Sequence, residues 1–222
     1  MNSNRSRQQT QREYEVTLMN HYLDAFVHNM DTLVSTTSDP TSIAAQTERY
    51  LAELIRHPEF LEEQYREPAP DRYRQHVVHV HPEGKYSIVS LVWCPGQATP
   101  IHDHRCWCVV GVLEGRETAT RYGLYEESGS RVLRLTEETT HDPGEVCALV
   151  PPVEDIHKVA NGSGEGLTIS MHIYGDDIAK VGSSINHVFD HPVVAEVPSE
   201  ATPVSWREGQ LADPMTTALP TI

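Results

Sequence analysis

The stretch TPIHDHRCWCVVGVLEG, residues 99–115, decides how the rest of the chain is read. It sets two histidines one residue apart, His102 and His104, ahead of a Cys-Trp-Cys and an apolar run that stops at Gly115. Side chains two apart on a strand point to one side, so both imidazoles can reach one point in space, while Asp103 between them faces the other way. A His-x-His pair is weak evidence for a metal by itself. HVVHVH at 76–81 holds a second pair, His79 and His81, which Pro82 and Gly84 assign to a strand end and turn.

Around this stretch lie short segments rich in β-branched and aromatic residues, separated by Gly, Pro, Asn or Asp: YRQHVVHV, YSIVSLVW, WCVVGVLEG, TATRYGLYEE, RVLRLTEET, EVCALVPP and LTISMHIYG. That density predicts an antiparallel sandwich or small barrel. LYEESGSR reads as a solvated hairpin turn, and Cys94 and Cys147 as small buried side chains. Before the strands, from about Tyr14 to Arg66, apolar residues recur at helical spacing. SDPTSIAAQTERYLAELIRH opens on a cap-like Ser-Asp-Pro, and HPEFLEEQY restarts after Pro58. Two or three amphipathic helices are therefore expected, covering one open end of the barrel. The last residues are polar and proline-rich, without a period. The expected organisation is a helical region over 1–68, a barrel over 69–192, and an extended arm or disordered tail over 193–222.

With 32 Asp and Glu against 17 Lys and Arg, the chain is a poor partner for nucleic-acid backbones and anionic membranes. No apolar run reaches the length of a membrane span, and no leader-like segment opens the chain, so a cytoplasmic setting with four reduced cysteines is expected. The oligomeric state stays open.

A second constellation is TISMHIYG. Ser170, His172 and Tyr174 alternate along one strand and share a face. Such a row is either the polar side of a half-buried strand or, aimed inward, a hydrogen-bond relay. In the relay His172 fixes the phenol of Tyr174, which offers a donor near the metal.

The spacing Gly96, five residues, His102, Asp103, His104, three residues, position 108, six residues, Gly115 resembles the first cupin motif, and Pro152, His157 and Asn161 resemble the second. That resemblance implies a cupin-type antiparallel β-barrel, a jelly roll, with N-terminal α-helices. Many cupins place a metal-binding glutamate where this chain has Cys108, so the implied ligands are His102, His104 and His157. Together with the Ser-x-His-x-Tyr row, these motifs resemble the thiol dioxygenases: cysteine dioxygenase and its bacterial relative acting on 3-mercaptopropionate. The similarity spans roughly residues 70–180. It implies Fe(II) on three histidines, a small thiol and O2 as substrates, and addition of both oxygen atoms to sulfur. Tyr174, His172, Ser170 and Cys108 are then the catalytic set, and Cys108 falls where cysteine dioxygenase forms a thioether to the strand tyrosine. Tyr73 and Gln75 are the substrate-binding candidates. Gln75 stands where cysteine-specific members have an arginine; the mercaptopropionate branch implies a basic residue shortly after Tyr-Gly, but this chain reads YGDDIAKVGSS there, with Lys180 as the only cation.

Two other readings fit the histidines. One is a cupin isomerase or hydrolase on another divalent metal, which needs a general base that the first motif does not offer. The other is a non-catalytic cup for a small ligand.

Overall fold

The computed structural model describes residues 21–153, 155–195 and 202–204. Helix α1 covers 21–36 and α2 covers Pro40–Leu54. Two 3-10 turns follow at Pro58–Phe60 and Glu63–Tyr65, where a third helix was expected. Pro58 suits the first position of a turn, and Leu61 leaves it in an extended conformation, so the helix does not propagate. The part of the expected first helix before residue 21 lies outside the described residues.

Twelve strands are described: β1 Arg74–Val80, β2 Ser87–Trp93, β3 His102–His104, β4 Cys108–Glu114, β5 Glu117–Glu127, β6 Ser130–His141, β7 Val146–Leu149, β8 His157–Asn161, β9 Thr168–Tyr174, β10 Ile185–Val188, β11 Val193–Val194 and β12 Thr202–Pro203. A short helix α3, Ile178–Val181, sits between β9 and β10. One sheet has the order β1-β2-β9-β4-β7. The other runs β10-β3-β8-β5-β6-β11, with β12 on β5. From β2 onward the chain passes repeatedly between the two sheets, with only β5 and β6 adjacent in both sequence and sheet. This is jelly-roll topology. Of the expected tail, Val193–Val194 pairs in parallel with β6 and Thr202–Pro203 pairs with β5.

The β5–β6 hairpin turns at Ser128 and Gly129, both at positive φ, as a two-residue turn between twisted strands requires. Gly115 ends the apolar run for a similar reason. Its φ is +72°, and a Cβ there would lie 2.2 Å from the carbonyl oxygen of Leu167.

Strand β9 is buried on both faces. Ile169, Met171 and Ile173 join a core with the helices, which includes Leu51, Leu54 and Ile55. Each such side chain contributes roughly 1.5–3 kcal/mol on burial. Helix α2 is set on this face by its N-cap, Asp39, which accepts from the backbone N–H of Ser42 at 2.9 Å, and by Pro40 in the first turn. A Cβ at Gly111 of β4 would lie 3.1 Å from Leu51 and 3.2 Å from Ile55, so the bare backbone lets α2 seat closely. The helices thus cover the outer face of the β9 sheet rather than an open end of the barrel. The apolar side of β9 and β4 needs a partner layer, and the amphipathic helices supply it. Among the described residues no helix is long and apolar enough to cross a membrane.

Candidate metal centre

His102 and His104 sit at the two ends of β3 and, by strand alternation, face the same side. His157 opens β8 and pairs in register with His102. The three rings stand 4.7–4.9 Å apart, centroid to centroid. One nitrogen from each lies within 4.8 Å of the others. Two separated segments therefore converge as the sequence reading expected.

Burial holds the three imidazoles neutral. It pushes the pKa of His102 down to about 4, and those of His104 and His157 well below the usual value. The Nδ1 of His102 lies 3.0 Å from the carbonyl oxygen of Pro100, which can only accept, so the proton belongs on Nδ1 and the lone pair on Nε2. His104 Nδ1 and His157 Nε2 are buried without a hydrogen-bond partner among the described residues. Neutral, convergent and unpartnered nitrogens are the donor set a first-row divalent ion takes. Asp103 faces away as expected, accepting from the backbone N–H of His187 at 2.5 Å and from Asn186 Nδ2 at 3.3 Å. The backbone N–H of His104 donates to Asp155 Oδ2 at 3.2 Å, which pins β3 from behind.

The opposite wall comes from the other sheet. His172 Nδ1 lies 3.0 Å from the Tyr174 hydroxyl, and its Nε2 lies 2.9 Å from Ser170 Oγ. The indole N–H of Trp93 donates to Ser170 Oγ at 3.2 Å. Ser170, His172 and Tyr174 thus form an inward relay, of which His172 and Tyr174 line the cavity and Ser170 stands behind them. Cys108 pairs in register with Tyr174, and its Sγ lies 4.0 Å from His172 Nδ1. Burial keeps both the Cys108 thiol and the Tyr174 phenol well above their ordinary pKa values.

Between the walls lies a cavity of ≈ 240 Å³. That is below the range usual for drug-sized ligands, so a small molecule fits it. Tyr73 and Gln75 line it from β1 and the segment before it. Tyr73 stacks on Trp93 with centroids 4.4 Å apart, and Gln75 Nε2 donates to the carbonyl of Gly182 at 3.4 Å.

Among the further lining residues that the sequence reading did not place there are Glu117, Arg121, Glu137, His141 and Cys147. Cys147 is a half-buried lining thiol rather than a core filler. Lys180, the only cation of YGDDIAKVGSS, is exposed on α3 and lies outside the lining. The lining does hold a cation, Arg121, which pairs in register with His157 across β8 and β5 and with Glu137 across β5 and β6. Its Nε lies 3.5 Å from Glu137 Oε2. The signal was present in ETATRY, where Glu117, Ala119 and Arg121 alternate onto one face. Nothing in that segment alone says the face turns inward.

The family profile of cysteine dioxygenase type I matches residues 38–182. Cysteine dioxygenase type 1 of Rattus norvegicus is 26% identical over 104 residues, 46% of this chain and 50% of the relative. The Homo sapiens protein of the same name is 25% identical over the same spans. The chain therefore spans about half the length of the curated relatives it matches. Among solved structures, a double-stranded β-helix protein from Klebsiella pneumoniae aligns with a TM-score of 0.40 at 18% identity, over 52% of this chain and 86% of that one. A cupin superfamily protein from Desulfitobacterium hafniense aligns with a TM-score of 0.36 at 16% identity, over 57% and 88%. The profile takes in the second helix, both histidine segments and the Ser-x-His-x-Tyr strand, more than half of all residues, and on that match the chain belongs to the cysteine dioxygenase type I family.

Proposed function

We propose that this protein is an iron-dependent thiol dioxygenase, converting a small thiol-bearing carboxylic acid of the cysteine or 3-mercaptopropionate type and O2 into the sulfinate. One observation carries the reading: three neutral, convergent imidazoles, two of them with a buried nitrogen that has no partner among the described residues, face a Tyr-His-Ser relay across a cavity sized for a small acid. His102, His104 and His157 would hold the ion. A bound ferrous ion would supply a redox-active centre able to bring a thiolate and dioxygen together.

The remaining roles belong to the chain. An all-imidazole set adds no negative charge to the centre, so it favours an anionic sulfur ligand. Tyr174 hydrogen-bonds the reacting groups, and His172 and Ser170 hold it in place, a preorganisation that needs no rearrangement during reaction. Arg121 is the lining guanidinium that would meet a substrate carboxylate, with Glu137 steadying it from β6. Tyr73 and Gln75 shape the opposite end. The register pairing of Cys108 with Tyr174 supports a thioether between them, which would remove two hydrogens from the intact mass. A cytoplasmic setting fits four cysteines that are all free thiols.

Oxygen uptake by the iron-loaded protein with a panel of small thiols, with product mass recorded, tests the reading. The expected result is uptake coupled to a product two oxygen atoms heavier than the thiol. One observation favours the rival isomerase or hydrolase: Glu117 supplies the cavity carboxylate such chemistry needs. Turnover of a thiol-free substrate by the zinc-loaded protein, with no oxygen uptake on iron, would decide for that rival.

A further inference from the structure

One carboxylate of the cavity lining has no part in the proposed reaction. Glu117 opens β5 two residues after Gly115 and is 2% exposed. Its Oε2 lies 3.4 Å from His172 Nε2 and, among the described residues, has no hydrogen-bond partner of its own. A buried carboxylate is costly unless a positive or proton-bearing group meets it. Burial acts to raise its pKa, but the neighbouring His172, followed by Ser170, outweighs it and holds the carboxyl below its ordinary value. Glu117 is therefore an anion, and an anion only accepts.

Counting protons then fixes the ring. Ser170 Oγ already accepts from the Trp93 indole, leaving its own hydrogen to give. A bare Nε2 on His172 would set two lone-pair groups, ring nitrogen and carboxylate, against each other at 3.4 Å. A proton on Nε2 removes that conflict, because the serine oxygen and the carboxylate can both receive it. In the neutral ring the lone pair falls on Nδ1, 3.0 Å from the Tyr174 oxygen. Tyr174 must then donate to the ring.

We propose that Glu117 is a positioning residue: by keeping the His172 proton on Nε2 it commits Nδ1 to the Tyr174 hydroxyl, so the phenol oxygen turns its lone pairs to the cavity. Tyr174 then greets an incoming protic thiol as a hydrogen-bond acceptor, not as the donor that the sequence pattern suggested. This catalytic consequence rests on the thiol dioxygenase reading, whereas the ring assignment does not.

The test uses the full-length protein loaded with zinc as a diamagnetic probe metal, labelled with nitrogen-15 at histidine. In the wild type, His172 should show a proton-bearing Nε2 and a bare Nδ1. Glu117→Gln, which removes the charge and can present an amide N–H, should shift the ring toward Nδ1–H. In the iron-loaded enzyme it should lower kcat about 10- to 100-fold with KM and metal content held. Glu117→Asp keeps the charge and should keep the wild-type tautomer. A wild-type ring protonated on Nδ1 would overturn the proposal, as would a Glu117→Gln variant with tautomer and kcat unchanged. A rise in KM alone would also overturn it, because Glu117 would then contact substrate. If Glu117→Gln fails to fold, the wild-type and Glu117→Asp spectra still decide. Absence of oxygen uptake with every thiol would sink the dioxygenase reading and leave the ring-nitrogen result standing.

Discussion

The two walls of the cavity settle their polar atoms differently. On β9, Ser170, His172 and Tyr174 satisfy one another, and Trp93 closes the row from β2. On β3 and β8, His104 Nδ1 and His157 Nε2 are buried with no partner among the described residues. A buried polar atom without a partner costs about 1–3 kcal/mol, a cost that folding has no reason to keep unless something outside the chain removes it. The wall that completes itself orients, and the wall left incomplete binds.

Removing one imidazole from the incomplete wall attacks that contrast most directly. His157→Ala should drop iron from about one ion per chain to near zero by elemental analysis, because two imidazoles do not make a closed site. Tyr174→Phe breaks the self-completed wall instead and should leave iron content unchanged while kcat falls by about 10²–10³-fold. Equal iron loss in both variants would erase the distinction. Arg121→Gln, between the walls, should weaken carboxylate binding by about 1.5–3 kcal/mol, read as a rise in KM with kcat largely kept. Arg121→Lys should restore only part of it, since an ammonium lacks the planar fork.

The smallest effect is a pH dependence of the metal-free protein. The folded pKa of His102 is lowered to about 4 from 6.5, so between these values the unfolded chain binds the extra proton. Stability from this group is complete above about pH 6.5 and is lost as pH falls toward about 4; His104 and His157 act in the same direction. Denaturant midpoints across that window should fall steadily, and the slope should flatten in His157→Ala.

Much of this was legible because strand periodicity is local. The alternation in TISMHIYG separates Ser170, His172 and Tyr174 from Ile169, Met171 and Ile173, and both faces appear as read. The spacing around His102, His104 and His157 anticipated their convergence. What escaped depended on which way a strand faces after a turn. Glu117 and Arg121 sit among threonines and a tyrosine that fit an exposed hairpin equally well, and only pairing with β8 turns their side inward. The short strands β8, β10 and β11 lacked a run of β-branched residues long enough to stand out.

The bare backbone at Gly111 ties the helical layer to the chemistry. Leu51 and Ile55 press within about 3.2 Å of where a methyl group would stand, and the same strand carries Cys108 three residues earlier. Even a single carbon added at that spot must lift the helix or bow the strand, and a bowed strand shifts the thiol facing Tyr174. Natural variation in the helices of this family should therefore track variation along β4.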